Sequence, residues 1–214
     1  MALRVVQIHA HAVAHEQLDE MVELVDGVRA GRPEAQLALW RLYAPMVTRM
    51  AQRTLRPGAD VDDLVQDVFV AAFRDVKSLR DPTKLKSFVA AIAVNLIRRE
   101  LARRRIRRWF ESESTGGEAA LAREPSSSAA FALGRLYSLL DRLRPNDRLV
   151  FVLRQVEGHS VEEAAELMGI SRASVKRHYA HVLARLSRHI QNDPFLVDYL
   201  PQVTTGTEAN TYDE

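Results

Sequence analysis

The chain has 214 residues, 47% of them apolar, enough to bury a core in each of one or two domains of ordinary size. It contains no cysteine, which excludes disulfides and thiolate metal sites. Thirty lysines and arginines against 28 aspartates and glutamates give a formal charge of only +2, so local charge carries the information. No uninterrupted apolar run approaches the ~20 residues that cross a bilayer, and no apolar segment precedes a small-residue cleavage site. No membrane insertion and a cytoplasmic location are therefore expected.

Residues 1–15 carry His9, His11 and His15 among alanines and valines. With no cysteine or carboxylate at ligand spacing, they read as an N-terminal extension, and no metal or other cofactor is expected. Leu18, Met21, Val22, Val25 and Val28 give the stripe of a helix from Glu16 to about Val28. A longer helix from Glu34 to about Leu55 should face Leu37, Trp40, Tyr43, Val47 and Met50 inward and bend at Pro45.

Asp60 is placed to cap a third helix, whose apolar face runs through Leu64, Val65, Val68, Phe69 and Ala72. On its other side Asp62, Asp63, Gln66 and Asp67 form an acidic strip, which could equally be a solvated face suited to the helix dipole. After a break pinned by Pro82, the loop from Lys77 to Phe88 mixes Lys77, Arg80, Lys84 and Lys86 with Leu79, Leu85 and Phe88. Cations beside apolar walls suit single-stranded nucleic acid, where charge tracks phosphate and a ring receives an unstacked base. Phe88 and Leu85 could also be ordinary core at a helix start.

The next helix runs into Arg98, Arg99, Arg103, Arg104, Arg105, Arg107 and Arg108 with only Glu100 among them, a local +6 that leaves −4 for the rest of the chain. Like charges at i, i+4 repel, so an external polyanion is the natural partner. A lipid surface fits poorly, because Trp109 and Phe110 lie at one end instead of striping the helix. Residues 111–130, rich in Ser, Gly, Ala and Glu, read as a flexible acidic linker.

A second domain, 131–191, opens with a helix through Leu133, Leu136, Leu139, Leu140 and Leu143. A further helix from Asp147 to Glu157 follows Arg144-Pro145-Asn146 and ends at Gly158. Ser160 and Glu163 have the spacing of a capping box for a short helix to Met168. Gly169-Ile170-Ser171 makes a turn into a helix from Arg172 to about Ile190, giving a helix-turn-helix. Val175, Tyr179, Val182 and Leu186 should face the core, leaving Arg172, Ser174, Lys176, Arg177, Ala180 and His181 outward. From Ser171 to Gln191 there is no acidic residue, and Lys or Arg there can bond guanine or hold phosphate. Residues 192–214 form a tail whose apolar Pro194–Leu200 motif could fold back on the second domain or meet a partner.

The string D-V-D-D-L-V-Q-D-V-F from Asp60, then S-L-R-D, then S-F-V-A-A-I-A-V-N ending at Asn95 ahead of the arginines, resembles the core-binding and promoter-melting region of bacterial sigma-70-family sigma factors, most closely the two-domain extracytoplasmic-function kind. A second match, R-L-V-F-V-L-R and then E-G-H-S-V-E-E-A-A-E-L-M-G-I-S-R-A-S-V-K-R, resembles that family's promoter-recognition domain. The resemblance implies an all-α chain of two small helical domains, 16–110 and 131–191, joined by the linker. It further implies that Asp62, Asp63, Gln66 and Asp67 bind the beta-prime clamp helices of core RNA polymerase, with the second domain on the beta flap. Lys77, Arg80, Lys84, Leu85, Lys86, Phe88, Asn95, Arg98, Arg99 and Arg103 would hold single- and double-stranded DNA at the minus-ten element. Arg172, Ser174, Lys176, Arg177 and His181 would read the minus-thirty-five element. In the family the acidic linker threads the RNA exit path, and an anti-sigma factor is a candidate regulator.

The chain departs from the pattern where Phe88 replaces the usual Trp and Leu85 a frequent aromatic, so a smaller stacking surface and altered melting are expected. No Walker loop, Ser-His-Asp order or paired carboxylates in a cleft indicate an enzyme. The rival reading is an autonomous helix-turn-helix regulator that binds duplex DNA without polymerase.

Overall fold

The computed structural model describes residues 18–55, 60–114, 128–191, 193 and 196, and among these there is no strand. The expected extension 1–15 and almost all of the tail lie outside the described residues. So does the greater part, 115–127, of the expected linker. The described residues fall into two compact units. One comprises 18–52 with 60–96; the other comprises 53–55, 97–114 and the residues from 128 on. The boundary falls inside one continuous helix, upstream of the 110/111 limit expected from composition.

The first unit contains α1 (18–29), α2 (Pro33–Thr54), α3 (Val61–Asp75) and the first part of α4 (Leu85–Ser114). Its core draws Val25 and Val28 from α1, Leu39, Val47 and Met50 from α2, Val65, Val68 and Phe69 from α3, and Val89 and Val94 from α4, all buried. Trp40 stacks on Phe69 at 4.5 Å between ring centroids, worth about 1 kcal/mol beyond the area buried. The inward face of α2 holds Tyr43, Val47 and Met50 as expected but takes Leu39, 1% exposed, in place of Leu37, which is 48% exposed. The i, i+4 row from Leu39 through Tyr43 to Val47 and Met50 sets the register, and Leu37 lies off it. Pro45 is exposed and does not interrupt the helix, although it removes the N–H that would reach the Arg41 carbonyl.

Asp60 stands at the N-cap of α3, yet its side chain makes no capping bond, contrary to the role read from sequence. The break between α3 and α4 is built from two 3-10 turns, Val76–Ser78 and Pro82–Lys84. The second is fixed by Asp81, which accepts from the Thr83 backbone N–H at 2.9 Å and from its hydroxyl at 2.6 Å. Arg29 donates to the Leu79 carbonyl and ties the end of α1 to this loop.

The second unit contains the rest of α4, then α5 (Ser128–Leu140), α6 (Pro145–Phe151), α7 (Val161–Met168) and α8 (Arg172–Ile190). Helix thus extends to Ser114 and resumes at Ser128, inside both ends of the expected linker. Leu140, Leu143, Phe151, Val152, Val182, Leu186 and Ile190 form the core, while Leu133 is 50% exposed. Pro145, with its fixed φ and absent N–H, opens α6. The helix expected through Glu157 loosens into a π segment, Val152–Val156, where the Glu157 N–H reaches the Val152 carbonyl at 2.9 Å.

The capping box is complete: Ser160 Oγ accepts from the Glu163 N–H at 3.1 Å, and Glu163 accepts from the Ser160 N–H at 2.7 Å. Gly169, at φ +64°, is the left-handed C-cap that turns α7 toward α8, a conformation a side chain would strain. Ser171 then caps α8 by accepting from the Ser174 N–H at 3.2 Å.

Candidate nucleic-acid and polymerase surfaces

Burial of Leu64, Val65, Val68, Phe69 and Ala72 orients α3, and the intervening positions are thereby turned to solvent. Asp62, Asp63, Gln66 and Asp67 are all exposed in a strip two turns long. The strip occupies the positive end of the helix dipole, where carboxylates are favoured without a cationic side chain.

In the loop, Lys77, Arg80, Lys84 and Lys86 are all exposed. Leu85 is 1% exposed and belongs to the core; it offers no stacking surface, which corrects its place among the minus-ten residues. The reason is positional, since Leu85 is the first residue of α4 and precedes the buried Val89 by one turn. Phe88 is half-buried, and Asn95 is half-buried two turns later.

Of the arginines on α4, Arg99 and Arg105 are exposed and Arg98 is half-buried, with its Nη1 donating to the Met168 carbonyl at 3.2 Å within the second unit. Glu100 neutralises more of the run than its isolation in sequence suggests, accepting from Arg103 Nε at 2.8 Å and Arg104 Nε at 2.5 Å. Burial pushes the Glu100 carboxyl up, but the hydrogen bonds from Arg103 and Arg104 outweigh it and hold the group below the usual glutamate range. Arg103 remains largely solvent-facing despite this bond.

Along α8, Val175, Val182, Leu186 and Ile190 are buried. That seam turns Arg172, Lys176, Arg177 and His181 outward, with Ser174 half-buried beside them. Arg172 pairs with Glu162 of α7 at 3.2 Å, and Arg177 Nη2 donates to Ser174 Oγ at 3.2 Å. Tyr179, expected as core, is half-buried; its hydroxyl donates to Gln155 at 2.7 Å and the Arg154 guanidinium lies 5.7 Å from its ring centroid.

His181 is outward but not isolated: its Nδ1 is 3.0 Å from Asp147 Oδ2, while His178 Nδ1 is 2.6 Å from Asp147 Oδ1. Sequence reasoning missed Asp147. It lies 31 residues before His178, and no local pattern ties the start of α6 to the middle of α8. Among the described residues no cluster of His, Asp and Glu has metal-holding geometry. No described helix is long and apolar enough to cross a membrane.

An acidic strip on one helix, a basic loop and helix after it, and a separate helix-turn-helix with a cationic leading face are the parts of a protein that joins a partner to DNA. Residues 39–107 match the model of Sigma-70 region 2, and residues 133–186 match that of Sigma-70 region 4. The RNA polymerase sigma factor CnrH of Cupriavidus metallidurans is 30% identical over 64% of this chain and 76% of its own length. For the sigma factor CarQ of Myxococcus xanthus the figures are 32%, 67% and 82%, and for the ECF sigma factor SigM of Mycobacterium tuberculosis 29%, 81% and 85%. The solved structure of CnrH in complex with the cytosolic domain of CnrY superposes with a TM-score of 0.56 at 27% identity, covering 79% of this chain and 96% of that one. The sigma factor RpoE of Bartonella quintana, solved with the anti-sigma factor NepR, shares the fold with a TM-score of 0.54 at 23% identity.

The chain belongs to the sigma-70 family of RNA polymerase sigma factors, of the extracytoplasmic-function type, the promoter-specificity subunits that bind core polymerase and promoter DNA. Matches to both modules do not favour an autonomous helix-turn-helix regulator.

Proposed function

We propose that the acidic strip Asp62, Asp63, Gln66 and Asp67 is the face that docks on the beta-prime clamp helices of core polymerase. The second unit then rests on the beta flap. Lys77, Arg80, Lys84 and Lys86 track the phosphates of the minus-ten strand, and the accessible part of Phe88 receives an unstacked base. Asn95, Arg98, Arg99 and Arg103 hold the adjoining duplex edge along α4. The leading turns of α8 enter the major groove at the minus-thirty-five element, with Lys176 and Arg177 foremost and Arg172, Ser174 and His181 beside them. Nucleotide polymerisation belongs to the partner enzyme, and this chain contributes no catalytic group. It acts in the cytoplasm and is held silent by an anti-sigma protein; the sigma factor RpoE is solved in complex with the anti-sigma factor NepR.

The observation that carries this reading is the distribution of exposed charge, with Asp62, Asp63 and Asp67 in the first two turns of α3, four cations against Asp81 in the loop, arginines on α4, and cations without carboxylates on α8. Pull-down and run-off transcription with purified bacterial core enzyme on a genomic fragment library test it. The wild-type chain should bind core and start transcripts at defined positions. Gln66→Ala with Asp67→Lys should abolish both while leaving the circular dichroism spectrum unchanged. Undiminished binding by the double variant would move the polymerase interface off α3.

A further inference from the structure

Ile106, Trp109 and Phe110 stand at i, i+3 and i+4 near the end of α4, and they are 59%, 60% and 56% exposed. The rings of Trp109 and Phe110 meet edge-on with centroids 5.0 Å apart, so the three side chains form one patch. The row that carries Arg99 and Arg103 runs on through Ile106 and Phe110, and exposed Arg105 lies one turn before Trp109. Duplex DNA held by these arginines keeps its bases stacked and gives the rings nothing to receive. A contiguous exposed apolar patch with a polar rim instead marks a contact with protein. With arginines at that rim, the chemistry that fits is an apolar segment carrying carboxylates.

The chain carries such a segment, and its root is fixed within the second unit. Asp193, 7% exposed, accepts two hydrogen bonds from the Arg135 guanidinium of α5, at 2.8 and 2.5 Å. Leu196, 1% exposed, belongs to the core cluster with Ala132 of α5 and Leu186 and Ile190 of α8. On the same helix, Asp141, one residue past the end of α5, pairs with Arg108 of α4 at 3.3 Å. Arg135 and Asp141 are six residues apart, about 9 Å along the axis and a third of a turn around it. Fully extended, the four residues Val197–Leu200 span about 13 Å, enough to pass from the root to the neighbours of Arg108. Beyond Leu196 the sequence has Asp198, Glu208, Asp213 and Glu214 and no lysine or arginine.

We propose that the apolar side chains of Val197–Leu200 seat on Ile106, Trp109 and Phe110, bringing Asp198 to the arginines, and that the seated segment competes with DNA for α4. The inference rests on the reading of α4 as a DNA-holding helix. Because Leu196 fixes the root, the segment meets the patch at an effective concentration on the order of millimolar, with no second molecule required. Only chains with the segment displaced present α4 to DNA. A seat filled about nine-tenths of the time therefore weakens DNA binding about tenfold.

The test uses the full chain with Trp40→Phe, which leaves Trp109 as its one indole. Val197→Ser, Tyr199→Ser and Leu200→Ser together should move the Trp109 emission to longer wavelength, as the ring passes from an apolar seat into water, by the same amount at every protein concentration. Holoenzyme reconstituted with this triple variant should bind a promoter duplex from the run-off experiment about tenfold tighter than wild-type holoenzyme. Phe110→Ser should tighten binding likewise, and its combination with the triple variant should go no further than either alone, because both open the same contact. An emission that ignores the triple variant overturns the proposal and leaves the patch to another protein. A shift that grows with protein concentration gives the seat to a second copy and overturns it equally. So does a full shift with unchanged DNA binding while Arg99→Ala weakens that binding, the mark of a clasp that only holds the fold. If Phe110→Ser does not fold, the triple variant alone decides. Failure of the underlying reading is separate: there, Arg99→Ala would leave promoter binding unchanged while the emission shift stands.

Discussion

Leu85 and Phe88 lie three residues apart at the start of α4 and divide the two roles that sequence left open for both. Leu85 is enclosed, whereas Phe88 is only half-buried, close in sequence to exposed Lys84 and Lys86. Truncation should therefore separate stability from strand binding. Leu85→Ala removes a fully buried side chain and should cost about 2–5 kcal/mol in chemical denaturation, cavity included. Its effect on capture of a single-stranded minus-ten oligonucleotide should vanish once unfolded protein is discounted. Phe88→Ala should cost less in denaturation and weaken that capture by about 1–3 kcal/mol, the worth of one stacked base. Equal loss of capture in the two folded variants would return Phe88 to the core.

At the scale of elements, the helices are legible wherever local chemistry and period agree. The Ser160–Glu163 box, the Gly169 reversal and the Ser171 cap depend on residues within a few positions of one another, and the structure has all three as read. Choices made by distant partners are not legible. Leu37 and Leu39 are equivalent by composition, so sequence puts Leu37 in the α2 stripe, and only tertiary packing selects Leu39. The π segment likewise depends on how Val152 and Leu153 must point to fill the core. The acidic strip is visible as a pattern, while the hold of Glu100 on two arginines and the Asp147 pair are not.

The capping box also makes a prediction about pH. The Glu163 carboxyl is held below its usual range, first by the Ser160 backbone N–H and then by the Ser160 side chain. A group whose native pKa is depressed stabilises the fold fully above its unfolded value and ceases to do so as pH falls through the native one. Glu163→Ala should therefore lower the thermal midpoint at pH 7, and the gap from wild type should close on acidification below the ordinary glutamate range, about pH 4. Ser160→Ala removes the other half of the box and should cost about 1 kcal/mol; unlike the glutamate variant, it should retain part of that cost in acid. A Glu163→Ala gap that is constant with pH would mean that the carboxylate charge has no part in the cap.

Across the whole molecule, a net charge of +2 conceals exposed patches of opposite sign. Both units carry exposed cations, Lys86 on the first and Lys176 on the second, so the reading of a two-module sigma factor requires both to hold one DNA at once. Simultaneous engagement has an arithmetic signature. Each phosphate that the protein no longer neutralises should flatten the dependence of log affinity on log salt by about 0.7 to 0.9, the lower figure for single strands. Lys86→Ala and Lys176→Ala, on separate units, should each flatten it by one phosphate, and the double variant by the sum. Were the two units to engage DNA in alternation, the observed slope would be governed by whichever mode binds tighter. The second substitution would then add nothing to the first, or would act only after the other mode had been weakened. Holoenzyme binding to one promoter duplex, measured for the wild type, both single variants and the double over a range of salt concentrations, separates additive from alternating engagement whatever base sequence either unit prefers.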